Sequence, residues 1–238
     1  MSELRYIENK AQWDARVLFK VDLPIGSLFL EKSAFTYVIA NKADLNCCHR
    51  PDDSATTEHD HMVNAHAFRV NFVGSNTGVK PYGEDQFSEY HNYFTGNDPA
   101  KWASHVSLYR AVTYPSLYPG IDLHVGKHEF DLKYEFRLKA GADPGVIKLR
   151  YEGTEGLEVR DGNLFIKTSV NDIMEQKPFA YQVFRGDTLV VNCEYNLRGN
   201  HLGFIFPNGY RNDLPLVIDP VVVGATYAGS SGSSTYGH

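Results

Sequence analysis

The chain has 238 residues, a formal charge of −6, 42% hydrophobic and 13% aromatic content, enough to bury one large core or two modest lobes. Its 23 Lys and Arg form no basic block and are outnumbered by 29 Asp and Glu, which argues against nucleic acid and anionic lipid as partners. The stretch nearest to a membrane span, residues 214–225, is broken by Pro215, Asp219 and Pro220 and falls short of the roughly 20 residues required, so no span is expected.

Fifteen Tyr and fourteen Phe against three Met suit pleated surfaces better than helices. In residues 5–40, Val17, Phe19, Val21 and Leu23 alternate, Pro24-Ile25-Gly26 turns, and residues 28–31 run back. Phe35, Tyr37 and Ile39 then alternate again, predicting three short strands. Periodicity disappears from 41 to 65, a polar loop. It returns at Phe68, Val70 and Phe72, and a second polar connection is expected from Gly74 to about Ser88.

Asn97-Asp98-Pro99-Ala100-Lys101-Trp102 sets a capping carboxylate before a proline, predicting one helical turn that drops Trp102 into the core. Leu117-Tyr118-Pro119-Gly120 has Pro and Gly where a type II turn needs them, ahead of a strand at 121–125. The strongest pattern follows at 129–139, where Phe130, Leu132, Tyr134, Phe136 and Leu138 fall on one side of an extended chain and charged residues on the other. Each large apolar side chain fully buried there contributes about 1.5–3 kcal/mol. The cap-and-proline device recurs at Asp143-Pro144, and Ile147, Leu149 and Tyr151 alternate after it. A ladder of short strands then occupies 157–160, 164–168, 173–177, 181–184, 189–197, 202–206 and 214–218.

The expected fold is all-β, an antiparallel β-sandwich over residues 1–222 with only short helical turns. Whether 1–80 and 85–220 form one sandwich or two lobes stays open at this level. Residues 223–238, rich in Gly and Ser, read as a linker or as the start of another unit.

Chemistry is sparse. His59 and His61 would point the same way on an extended segment, and His66 could complete a zinc or copper site, against the plainer reading of scattered histidines in a polar loop. Turns such as Asn97-Asp98 and Asp161 to Asn163 offer oxygens to calcium, but capping and turn chemistry already account for them. No cofactor is expected. Cys47, Cys48 and Cys193 make an odd count that fits no disulfide framework, and Cys193 reads as a buried apolar thiol.

Arg185-Gly186-Asp187 reads as a hairpin turn before it reads as an adhesive motif. Tyr90, Tyr93, Trp102, Tyr114 and Tyr118 suit the core better than a sugar platform. No Gly-x-Ser-x-Gly, His-Glu-x-x-His, phosphate loop or Cys-x-x-Cys occurs, so the chain is expected not to be an enzyme.

Tyr6-Ile7-Glu8-Asn9-Lys10-Ala11-Gln12-Trp13, the run from Asn92 to Trp102, Leu117-Tyr118-Pro119-Gly120-Ile121-Asp122-Leu123 and Leu216-Val217-Ile218-Asp219-Pro220 resemble an uncharacterised family. It is the N-terminal domain of large secreted or surface proteins of Bacteroidota that precedes SBBP-type β-propeller repeats. Ala225-Thr226-Tyr227-Ala228-Gly229-Ser230-Ser231-Gly232 is similar to the opening of such a repeat. The resemblance implies export, by a type IX route, and an extracellular or cell-surface module that is structural or adhesive, as in adhesin-like and gliding-associated proteins. Its partners would be the following propeller and a surface glycan or protein. A carbohydrate-binding module is the alternative, and a hydrolase or mutarotase-like enzyme the next.

Overall fold

The computed structural model describes residues 3–41, 44, 63–94, 96–128 and 131–223. Nineteen strands form among the described residues, all paired antiparallel, together with two single 3-10 turns. The N-terminal strands are β1 (Tyr6–Glu8), β2 (Val17–Leu23), β3 (Gly26–Glu31), β4 (Ala34–Ala40) and β5 (Ala65–Phe72). Two long strands, β6 (Tyr82–Tyr93) and β7 (Ala103–Tyr118), lead to β8 (Ile121–His128) and β9 (Asp131–Leu138). Shorter ones follow: β10 (Leu149–Glu152), β11 (Gly156–Arg160), β12 (Asn163–Lys167), β13 (Ile173–Glu175), β14 (Phe179–Phe184) and β15 (Asp187–Val191). The last are β16 (Glu194–Arg198), β17 (His201–Ile205), β18 (Leu216–Asp219) and β19 (Val221–Val223).

Hydrogen bonds run from β16 through β17, β10, β5, β4, β3, β2, β1, β7 and β8 to β9. Beyond β9 the sheet forks. β18 pairs with its C-terminal half and carries β14 and β15; β19 pairs with its N-terminal half and carries β13, β12 and β11. The sheet curls until it nearly closes, in a barrel-like shape.

The period-two pattern at 129–139 has the expected consequence. Leu132, Tyr134, Phe136 and Leu138 are buried, and β9 is flanked by β8 on one edge and by β18 and β19 on the other. Lys133, Glu135 and Arg137 point to the opposite face, where Lys133 Nζ lies 2.8 Å from both Glu135 and Asp219 and Arg137 lies 2.7 Å from Glu135. Residues from the first 80 and from the rest share one core: Phe35 and Phe72 each meet Tyr114 at 6.1 Å between ring centroids, edge to face. Tyr6, in a strand too short to show periodicity, is fully buried, and its hydroxyl donates to the Gly126 carbonyl at 2.8 Å.

Both cap-and-proline devices form. Asp98 and Asp143 accept from the backbone N–H two residues on, before 3-10 turns at Pro99–Lys101 and Pro144–Val146. Gly120, at φ +73°, closes the β7–β8 turn, and at Gly26 an added Cβ would lie 2.0 Å from the Val38 carbonyl, so only glycine fits.

Three local expectations need correction. The connection expected from 74 to 88 ends early, because β6 begins at Tyr82; among the described residues it is an edge strand paired with β7 alone, and Phe87 is its one buried residue, so no alternation marks it. The strand expected over 189–197 breaks at 192–193 into β15 and β16. Trp102 is 45% exposed instead of buried: its indole N–H donates to the Gly96 carbonyl, and Phe94 packs edge-on against it, so the turn folds the ring back over its own hairpin.

Candidate functional site

Two places carry unusual chemistry, one sealed inside and one open. Inside, β13 turns Ile173 and Glu175 toward the core, so alternation delivers a carboxyl to a position where an apolar residue belongs. Tyr134 and Tyr195 approach Glu175 Oε2 at 2.8 and 3.4 Å, and Tyr151 approaches Oε1 at 3.3 Å. The Tyr195 hydroxyl has a single proton and a shorter bond, 2.9 Å, to the Gln176 carbonyl, so Tyr134 and Tyr151 are the principal donors to the carboxyl.

No cation stands opposite Glu175 among the described residues. Burial pushes its carboxyl up to about 7, against the tyrosine hydrogen bonds, which lower it. Burial, and then the charge of Glu175, holds the hydroxyls of Tyr37, Tyr134, Tyr151 and Tyr195 well above the usual phenol range. The adjoining cavity, lined by Phe35, Tyr37, Phe72 and Phe136 among others, is about 10 Å³, room for at most one water. A carboxyl set this way would suit acid–base work if substrate could reach it; here nothing larger than water can.

A second buried carboxyl, Glu31 on β3, is held differently. Arg69 donates to both of its oxygens at 2.7 Å and Thr36 adds a hydroxyl at 2.8 Å. Glu152 shares the same shallow outer depression and pairs with Arg150 at 2.7 Å. Both carboxyls in that depression are thus committed to guanidinium partners.

The open feature lies at the β14–β15 hairpin. Its turn is Arg185-Gly186, with φ of +53° and +93°, so Arg and Gly carry the left-handed backbone and Asp187 opens β15. On the outer face Phe179, Val183 and Val190 are 46%, 52% and 70% exposed. Beside β15 runs a groove of about 820 Å³, with Leu189, Val191 and Cys193 on one wall and residues 208–211 on the other. Cys193 is buried, and burial pushes its thiol up to about 12.

Of the histidines singled out for metal, His59 and His61 lie outside the described residues. His66 sits on β5 with both ring nitrogens engaged: Nε2 donates to the Gly153 carbonyl at 2.6 Å, and Nδ1 accepts the Ser169 N–H at 3.2 Å, with Ser169 Oγ at 2.9 Å. A metal would have to displace one of these bonds. Among the described residues no three His, Cys, Asp or Glu side chains converge on a metal position. Asn163, in the turn considered for calcium, accepts the Lys177 N–H at 2.8 Å. Cys47 and Cys48 lie outside the described residues.

The aromatic set divides. Tyr114 and Tyr118 are core residues, whereas Tyr90 is 51% exposed and stacks on His105 at 4.4 Å. Phe94 and Trp102 are exposed between β6 and β7 and pack on each other with their planes at 83°.

Fold and sites together define an all-β domain with a sealed polar centre and an unfinished sheet edge. The chain belongs to a family described as a domain of unknown function (DUF7948), whose model matches residues 6–221. No curated protein and no solved structure matches it. No described helix is long and apolar enough to cross a membrane.

Proposed function

We propose that the chain is a non-catalytic, sandwich-like structural module of an extracellular cell-surface protein, docking through its β14–β15 face on a following domain of the same polypeptide. The observation that carries this is the apolar strip of Phe179, Val183 and Val190, which an independent domain would leave exposed to water. Its position fits a neighbour that follows in sequence, since Phe179 is paired opposite Asp219, four residues before the last described residue, Val223. The motifs shared with N-terminal domains of large Bacteroidota surface proteins support a β-propeller of the SBBP type as that neighbour, and export by a type IX route.

Hydrogen exchange across β14 and β15 tests the reading when the intact surface protein is compared with this chain alone. Slower exchange in the intact protein is the expected result; equal exchange would remove the docking face.

A carbohydrate-binding role is the second reading, favoured by the exposure of Tyr90, Phe94 and Trp102. Their rings do not form the coplanar row that stacks on a sugar chain. A glycan array decides between the two, and binding of one sugar class abolished by Trp102→Ala would establish the second.

A further inference from the structure

The exposed strip lies on one face of the hairpin, but β15 has an edge as well. In its pairing with β14, the closing pair Phe184 and Asp187 is hydrogen-bonded, and so, by alternation, are Gln182 with Leu189 and Ala180 with Val191. Thr188 and Val190 therefore aim their N–H and C=O groups away from β14, and among the described residues the one strand register that includes β15 is that with β14. Soluble proteins blunt such edges with Lys, Pro or a bulge. Asp187-Thr188-Leu189-Val190-Val191 has none of these, and its register with β14 is unbroken.

The groove flanking this edge mixes apolar side chains with the amides of Gln182, Asn192 and Asn208, and its charge is of one sign. Among the described residues its charged lining is Lys177 and Arg211. Arg211 is paired with Asp213 at 2.6 Å, whereas Lys177 has no carboxylate partner among the described residues. Lys177 lies toward the Val191 end, two residues before Phe179; at the other end Asp187 offsets the charge of Arg185 two residues away, and Arg211, stacked on Phe184, is held by Asp213. The groove thus presents unpaired backbone groups, an apolar wall and one cation at a defined end.

We infer that β15 is a strand-acceptor edge: an extended peptide segment with alternating apolar side chains and a carboxylate opposite Lys177 adds to it and completes the sheet. This deepens the docking reading above by naming how the partner binds. The backbone supplies affinity, the wall formed by Leu189 and Val191 selects apolar side chains, and Lys177 sets direction.

Selection of a random phage-displayed peptide library on the purified chain, followed by calorimetry with the enriched peptide, tests the inference. Enriched sequences should alternate apolar residues and carry Asp or Glu toward one end. Val190→Pro removes an edge N–H that the domain itself does not use, and should weaken binding by at least an order of magnitude with little change in melting temperature. Lys177→Glu should weaken it several-fold. A control that needs no folded variant is the same peptide N-methylated at alternate residues, which should lose binding in one of the two phases.

No enrichment, or equal binding to both methylated forms, would overturn the strand-acceptor claim. So would a concentration-dependent dimer dissolved by Val190→Pro, which would assign the edge to a second copy. Slowed exchange on the outer face of β14 in the intact protein would still uphold docking in that event, so the two ideas fail separately.

Discussion

Glu175 and the β15 edge are opposite solutions to the same problem, polar groups that the fold leaves without a strong partner. At Glu175 the core closes around a carboxyl, supplies three tyrosine hydroxyls and admits nothing wider than a water. At β15 the backbone groups of Thr188 and Val190 stay open beside a groove walled by Leu189 and Val191. A perturbed titration marks a working site only where a ligand can arrive, so the chemically unusual residue is structural and the bland strand is the better candidate for recognition.

The contrast can be broken most forcefully at the core wall. Phe136→Ala, beside the cavity and with no exposed surface, should cost about 3–5 kcal/mol in a denaturant titration, because the hydrogen-bonded strands around it cannot collapse into the void. A much smaller loss would mean that the interior is looser than its packing.

Glu175→Gln sharpens the comparison through pH. The folded-state carboxyl is raised from 4.5 to about 7, so its contribution to stability is fully present below pH 4.5 and is lost as pH rises to about 7. At about 1.4 kcal/mol per pH unit that loss is about 3 kcal/mol, and it should flatten above pH 7. The glutamine variant, neutral throughout, should match the parent at pH 4 and exceed it at pH 8 by unfolding midpoint. Parallel pH profiles would show that the carboxyl is already solvated.

Tyr151→Phe should cost about 1–2 kcal/mol by thermal unfolding, since it removes one donor from the buried carboxyl. It should also extend the alkaline loss to higher pH, because that hydrogen bond lowers the carboxyl's pKa. The smallest effect belongs at the edge, where Val190→Lys should change stability by less than about 0.5 kcal/mol, the side chain being 70% exposed. A large loss there would mean that β15 is a structural strand.

The fold was legible wherever one face of a strand is buried and the other wet. Residues 131–138 alternate because β9 sits in the middle of the sheet, and the two Asp-Pro caps announce their turns by local chemistry alone. β6 was illegible because an edge strand with little burial has no face to mark. Trp102 misled for the opposite reason: a large aromatic next to a turn argues for the core, while its N–H found a carbonyl on the hairpin instead. The strand break at 192–193 had no Pro or Gly to signal it.

Of the sites, the groove could not be foreseen, since residues 177–182 and 189–193 meet 208–211 only in the folded chain. Glu175 could have been. It shares parity with Ile173 in a short strand, and an acid on the apolar phase is a signal that counting positions would have raised. What no pattern of positions contains is that Tyr134, Tyr151 and Tyr195, from three other strands, would converge on it.

The most direct measurement is a carbon-13 NMR titration of the Glu175 side-chain carboxyl in the folded chain, assigned by its absence in Glu175→Gln. A midpoint near 7, moving upward when Tyr151 is replaced by Phe, is the predicted result. A midpoint near 4.5, unmoved by that replacement, would mean that water reaches the carboxyl and that the interior is not sealed.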